Sequence, residues 1–259
     1  MLGAIIGDIV GSRFEFNNIH SKHFELFASD CGFTDDTICT CAVADAALHG
    51  TPYRTALLGW CRRYPAPMGG YGGSFVRWLN SNDPQPYGSY GNGSAMRVSA
   101  IGWLYPTLDD VLLQARLSAE PTHHHPEGIK GAQAVADAIF ILKGGSGKRE
   151  VAAYVEETFG YDLSGSVEWL RAHNVFNETC QVTVPQAFVC FAQSDGFEDA
   201  VRNAVSIGGD SDTIGAIAGS LAEAHYGIPA DIRRRALGYL DSAMTAVVGE
   251  FQSRVSPSL

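Results

Sequence analysis

The sequence predicts an all-α protein. Three observations carry this. Apolar residues recur at helical spacing along most of the chain, alternating strand-like patterns are scarce, and one helical segment follows another across short turns. The 259 residues are 46% hydrophobic and 18% charged, a composition that buries a sizeable core and excludes a disordered chain. No internal repeat or linker interrupts the pattern, so residues 1–259 are expected to form one domain.

Leu2 to Gly11 reads as a short buried helix. Its Gly3, Gly7 and Gly11 share one face, where another helix can approach closely. Asp8 interrupts this apolar element and needs a partner. Asn17 to Gly32 has no period and reads as a loop. Thr34-Asp35-Asp36-Thr37 opens a helix running to His49, since Thr and Asp are preferred caps and acidic residues suit a first turn. Gly50-Thr51-Pro52 ends it and starts the next, Tyr53 to Tyr64. A loop over Pro65 to Gly73, a short helix over Ser74 to Asn80 and a second loop over Ser81 to Gly93 follow. Ser94 to Ile101 resumes helical spacing, and Thr107-Leu108-Asp109-Asp110 starts a helix to Ala119. Helices are then predicted over Glu127 to Leu142, Arg149 to Thr158, Ser166 to His173, Val184 to Gln193, Glu198 to Ser206 and Asp212 to Tyr226. Pro229 opens one last helix, Ala230 to about Phe251.

The formal net charge of -10, with no basic stripe, argues against nucleic acid held through its phosphates. No apolar run reaches the length of a membrane span, and the first residues lack the basic lead of a signal peptide. None of the six cysteines forms a C-x-x-C pair, so a zinc ribbon or thioredoxin motif is excluded. They read as small core residues in a reducing cytoplasm. A monomer is expected.

Two stretches carry the candidate chemistry. Gly208-Gly209-Asp210-Ser211-Asp212-Thr213 and Thr34-Asp35-Asp36-Thr37 each put two carboxylates beside a hydroxyl at a predicted helix start. Either alone is read most simply as a helix cap. Their matching composition favours one shared site instead. Four unpaired carboxylates held together repel, and burying each costs several kcal/mol unless it is neutralised. One or two hard divalent cations are the natural counter-charge, because oxygen-rich donors suit Mg²⁺, Mn²⁺ or Ca²⁺ better than zinc.

Weaker signals surround these. Asn92-Gly93-Ser94, after Tyr90-Gly91, reads equally as an ordinary turn or as a backbone nest for phosphate. His123-His124-His125 resembles a metal cluster, but adjacent loop side chains point in different directions, so at most one enters a site. Glu15, between two Phe residues, is a candidate acid or base, or a surface group.

Taken together, these stretches resemble the ADP-ribosylglycohydrolase family. The resemblance rests on Gly7-Asp8-Ile9-Val10-Gly11 with Glu15, Phe33-Thr34-Asp35-Asp36-Thr37, Gly91-Asn92-Gly93-Ser94-Ala95-Met96-Arg97, Thr122-His123 with Pro126, and Gly208 to Thr213, in that order. It implies a compact orthogonal multi-helix bundle around two Mg²⁺ or Mn²⁺ ions. It implies that Thr34, Asp35, Asp36, Asp210, Asp212 and Thr213 are the metal ligands. Glu15, Asp36 and Asp212 would be catalytic, and Gly91, Asn92, Gly93, Ser94, Met96 and His123 would bind substrate. The implied activity is hydrolysis of the bond between ADP-ribose and an acceptor, with ADP-ribose and an ADP-ribosylated substrate as partners. Cys39 departs from the family, which carries Met there. The loop Asn17 to Gly32 is expected on the acceptor side. A catalytically silent ADP-ribose-binding or structural protein of the same fold is the alternative. The presence of every implied ligand and of Glu15 favours the enzyme.

Overall fold

A computed structural model describes residues 1–255. Its helices are α1 (Leu2–Gly11), α2 (Asp35–His49), α3 (Tyr53–Arg63), α4 (Gly73–Leu79), α5 (Gly93–Met96), α6 (Ser99–Leu104), α7 (Leu108–Ala119) and α8 (Pro126–Lys143). They continue with α9 (Lys148–Phe159), α10 (Val167–His173), α11 (Cys180–Ala192), α12 (Phe197–Ser206), α13 (Ser211–Tyr226), α14 (Ala230–Leu237) and α15 (Ser242–Val255). A 3₁₀ turn, Ser12–Phe14, extends α1. Among the described residues no strand forms, and two isolated bridges pair Thr34 with Met68 and Gly91 with Thr179.

α1 and α13 form the centre. Every residue of α1 is buried, as is α13 from Ser211 to Ala222, so neither has a polar face. They meet backbone to backbone. A Cβ on Gly7 would stand 1.9 Å from the Gly215 carbonyl oxygen, one on Gly3 2.2 Å from that of Gly219, and one on Gly11 2.5 Å from the Asp212 Cα. Glycine is required here by close approach, and no other residue fits. The predicted close-packing face of α1 therefore meets the small-residue face of α13. Glu223 closes the far end, accepting from the Met1 amine at 2.7 Å and the Gly3 amide at 2.8 Å.

α2, α8, α11 and α12 surround this pair. One cluster of buried apolar side chains runs from Met1 to Phe251. Caps explain several starts. Thr107 accepts from the Asp110 amide at 3.1 Å, and the His125 ring from the Glu127 amide at 3.2 Å, with Pro126 at the first helical position.

The helix boundaries differ from expectation in three places. The predicted last helix is two, because the chain turns at Gly238 and Asp241 then starts α15 by accepting from the Ala243 and Met244 amides. Ser94 to Ile101 is likewise interrupted, with Arg97 and Val98 lying between α5 and α6. α11 begins at Cys180, four residues before the predicted start, and carries Pro185 inside it. The loop Asn17 to Gly32 packs at the edge of the site, with Asn18 bonded to Gly209. None of it lines the main cleft. It is also tied to α12, where Lys22 pairs with Asp199 and Arg202 donates to the Lys22 and Phe24 carbonyls.

Candidate active site

The first acidic stretch is held by α1. Asp8 Oδ2 accepts from the Thr34 and Thr37 amides, each at 3.0 Å, and from the Thr37 hydroxyl. It thus serves buried amides at the start of α2. Thr34 caps α2, its hydroxyl accepting from the Asp36 amide at 3.2 Å. These bonds leave the Asp35 and Asp36 side chains free of capping duty, at the cleft.

The second stretch is built differently. Gly208 and Gly209, at φ 68° and 75°, turn the chain sharply into α13. Asn18 brackets Gly209, accepting from its amide at 2.8 Å and donating to its carbonyl at 2.9 Å. Asp210 occupies the cap position of α13 but makes no side-chain cap bond. Its carboxylate instead accepts from Asn92 Nδ2 at 2.6 Å. The Asn92 amide group also donates to Thr183 Oγ1 at 3.0 Å, so Asn92 is an orienting group for Asp210.

The two stretches meet. Thr213 Oγ1 donates to Asp36 Oδ2 at 3.2 Å, across the junction of α13 and α2. Glu15, Asp210 and Asp212 place one carboxylate oxygen each within 4.8 Å of one another. Burial, then the charges of Asp212 and Asp8, holds the Asp35 and Asp36 carboxyls well above the usual range. Burial and then Asp210 do the same to Asp212. Burial pushes Glu15 to about 8, with Asp212, Asp8 and Glu178 adding to it. None of these groups joins an ion pair among the described residues. Asp36 Oδ1 is buried without any hydrogen-bond partner. An all-oxygen donor set, crowded and paired with no basic side chain among the described residues, has the chemistry of a hard divalent-cation site.

The cluster forms the floor of a cleft of about 780 Å³. Gly91, Asn92, Gly93, Met96, Arg97 and His123 line it on one side, and Gly69 to Phe75 on another. Gly69 stands at φ 75°, a backbone conformation that favours glycine, and a Cβ there would press on Glu15 Oε2, 2.6 Å away.

A model of the ADP-ribosylglycohydrolase family matches residues 1–255. The chain belongs to that family. Human ADP-ribosylhydrolase ARH3 is 26% identical, across 95% of this chain and 90% of that one. The ADP-ribosyl-[dinitrogen reductase] glycohydrolase of Rhodospirillum rubrum is 27% identical, across 88% and 84%. The ADP-ribosylarginine hydrolase Tri1 of Pseudomonas putida is 24% identical, across 88% and 70%. A solved ADP-ribosylglycohydrolase-related protein complex superimposes with a TM-score of 0.73 at 25% identity, across 98% of this chain and 95% of that one.

Within this family member the expected site residues fall into two groups. Glu15, Asp35, Asp36, Gly91, Asn92, Gly93, Met96, His123, Asp210, Asp212 and Thr213 all line the one cleft. Thr34 and Ser94 do not. The Thr34 hydroxyl is the α2 cap, and Ser94 Oγ donates away from the cleft to the Gly128 carbonyl at 2.7 Å. Cys39 lies in the cleft wall one helical turn after Asp35, with its sulfur 3.7 Å from that of Cys61. Of the three histidines only His123 lines the cleft. His124 accepts from the Gly88 amide, and His125 caps α8. Residues with no signal in the sequence complete the rim. Phe16 and Phe176 stand exposed with ring centroids 6.0 Å apart, and Glu178 lies beside them. They sit in aperiodic loops, where spacing carries no information.

Proposed function

We propose that the chain hydrolyses the glycosidic bond between ADP-ribose and an acceptor, an ADP-ribosylated protein side chain or a small conjugate, and releases free ADP-ribose. One observation carries this: crowded carboxylates with no cationic partner floor a cleft whose wall is a glycine turn backed by Arg97 and His123. Relatives named for removing ADP-ribose from arginine and from dinitrogen reductase support it.

The residues present fit two Mg²⁺ or Mn²⁺ ions. Asp35, Asp36, Asp210, Asp212 and Thr213 would hold them, with Thr34 fixing the start of α2 through its cap. When bound, the ions would act as Lewis acids toward the ribose hydroxyl oxygens, while the carboxylates around them offset the positive charge that develops at C1″ as its bond to the acceptor breaks. The protein's own groups do the rest. Glu15 orients the water that attacks C1″ and takes its proton. Asn92 fixes the Asp210 carboxylate. Gly91 and Gly93, having no side chains, let a diphosphate approach the backbone. Free, buried cysteines support a cytoplasmic setting.

The test is product identity. The protein is incubated with Mg²⁺ and a panel of ADP-ribosylated acceptors, and the released species is weighed by mass spectrometry. Free ADP-ribose is expected. AMP would point to cleavage of the diphosphate. Tight ADP-ribose binding with no release from any acceptor would point to a silent binding protein. Glu15→Gln should lower kcat and flatten the limb of the pH–rate profile that Glu15 controls. A near-unchanged profile would remove Glu15 from its role.

A further inference from the structure

Arg97, Thr122 and His123 form a buried chain behind the glycine turn. We infer that Arg97 and Thr122 are positioning residues that lock His123 as a neutral ring carrying its hydrogen on Nε2, aimed into the cleft as a fixed donor to a ligand oxygen. That ligand role rests on the proposed ADP-ribose reading of the cleft.

The argument is one of donors and acceptors. A guanidinium only donates. Arg97 Nη2 donates to Thr122 Oγ1 and to the Ser118 carbonyl, each at 3.0 Å. Thr122 is fully buried, so its hydroxyl hydrogen also needs an acceptor. His123 Nδ1, at 2.7 Å, is the one offered. The opposite tautomer would aim two N–H groups at one hydroxyl and strand the hydroxyl hydrogen in the interior. A doubly protonated ring would place a second cation beside a buried one. Arg97 is 1% exposed, joins no ion pair among the described residues, and has an unpartnered Nε.

Electrostatics agree with the geometry. Burial and then Arg97 hold the His123 ring well below the usual imidazole range. Tyr87 also faces the ring, 6.3 Å away between centroids, and burial pushes its phenol to about 12. The opposite edge of the ring lies under the turn. A Cβ on Gly93 would stand 3.1 Å from His123 Nε2, and one on Gly91 3.6 Å from it. Nε2 has no hydrogen-bond partner among the described residues, and His123 lines the cleft. A histidine normally changes charge near neutrality. This one is held as a constant donor.

Nitrogen-15 NMR of the histidine rings tests the lock without any ligand. His123 in the wild type should show an unprotonated Nδ1 and a protonated Nε2, unchanged from about pH 5 to about pH 9. The other tautomer, or titration inside that window, overturns the inference. Thr122→Val should mix the tautomers and weaken ADP-ribose binding roughly tenfold by calorimetry. Thr122→Ser, which keeps the hydroxyl, should retain both properties. An unchanged tautomer and affinity in Thr122→Val would also overturn it. The locked tautomer in a wild type that binds no ADP-ribose with Mg²⁺ present would uphold the lock and reject the ligand reading.

Discussion

The two acidic stretches look alike in sequence and are held in place by different physics. At the start of α2, hydrogen bonds do the work: Thr34 caps the helix and Asp8 serves two amides and a hydroxyl. At the start of α13, packing does it. The cap position carries Asp210 with no cap bond, and backbone contact with α1 fixes the helix. Capping at α2 is done by a hydroxyl and, across the helix gap, by Asp8, which leaves Asp35 and Asp36 unspent. At α13 the glycine interface supplies the rigidity that a cap would have supplied, which leaves Asp210 unspent. Both routes deliver carboxylates that form no ion pair among the described residues.

Gly7→Ala attacks the packing route and should have the largest effect. The added methyl would overlap backbone, so a loss of about 3 kcal/mol or more is expected, read as a fall in the thermal midpoint. A near-native midpoint would refute the backbone contact. Asp212→Asn should lower activity by at least about 100-fold. In metal-free buffer the same variant should melt higher than wild type, since one member of a repelling buried set has been neutralised. A lower melting point would show that the carboxylates do not strain the fold.

pH sharpens the same point. The cluster carboxyls have folded pKa values raised above their unfolded ones. Their contribution to metal-free stability is therefore fully present below about pH 4 and is lost as pH rises through the folded values, which for Glu15 means about 8. Saturating Mg²⁺ should abolish that decline, and Mg²⁺ binding should release protons, detectable by calorimetry in buffers of different ionisation enthalpy. Binding that is flat from pH 6 to pH 8, with no proton release, would contradict a cation site, on the order of one proton being the expected signal.

The hydrogen-bonded route yields the smallest effect. Thr34→Ala should cost about 1 kcal/mol, the ordinary value of a lost cap. Asp210→Ala should cost no cap energy at α13 while still impairing activity. Equal losses from the two, by chemical denaturation, would erase the distinction between the stretches.

The all-α class was legible because helical spacing and cap residues are local signals. The two acidic stretches and their meeting were legible because residue types and positions were distinctive. What escaped was set by distant contacts. The break at Gly238 to Asp241 carried a glycine stop and an aspartate start, but apolar spacing continued across it. Asn92 reads as part of a phosphate turn, and only its 2.6 Å bond shows it serving Asp210. Asn18 sits in a stretch without period, yet it clamps Gly209, far along the chain.

The glycine contact between α1 and α13 has a further consequence for how steady the site is. Every rotatable bond between two groups adds its own spread to their separation. Helices that meet through interlocking side chains inherit the rotamer fluctuations of both partners. Here the Gly11 Cα stands against the Asp212 backbone with nothing in between, and Asp8, on the same helix, grips the start of α2 directly. The path from one carboxylate pair to the other runs almost wholly through main chain, so heating blurs their separation less than it blurs the rest of the molecule.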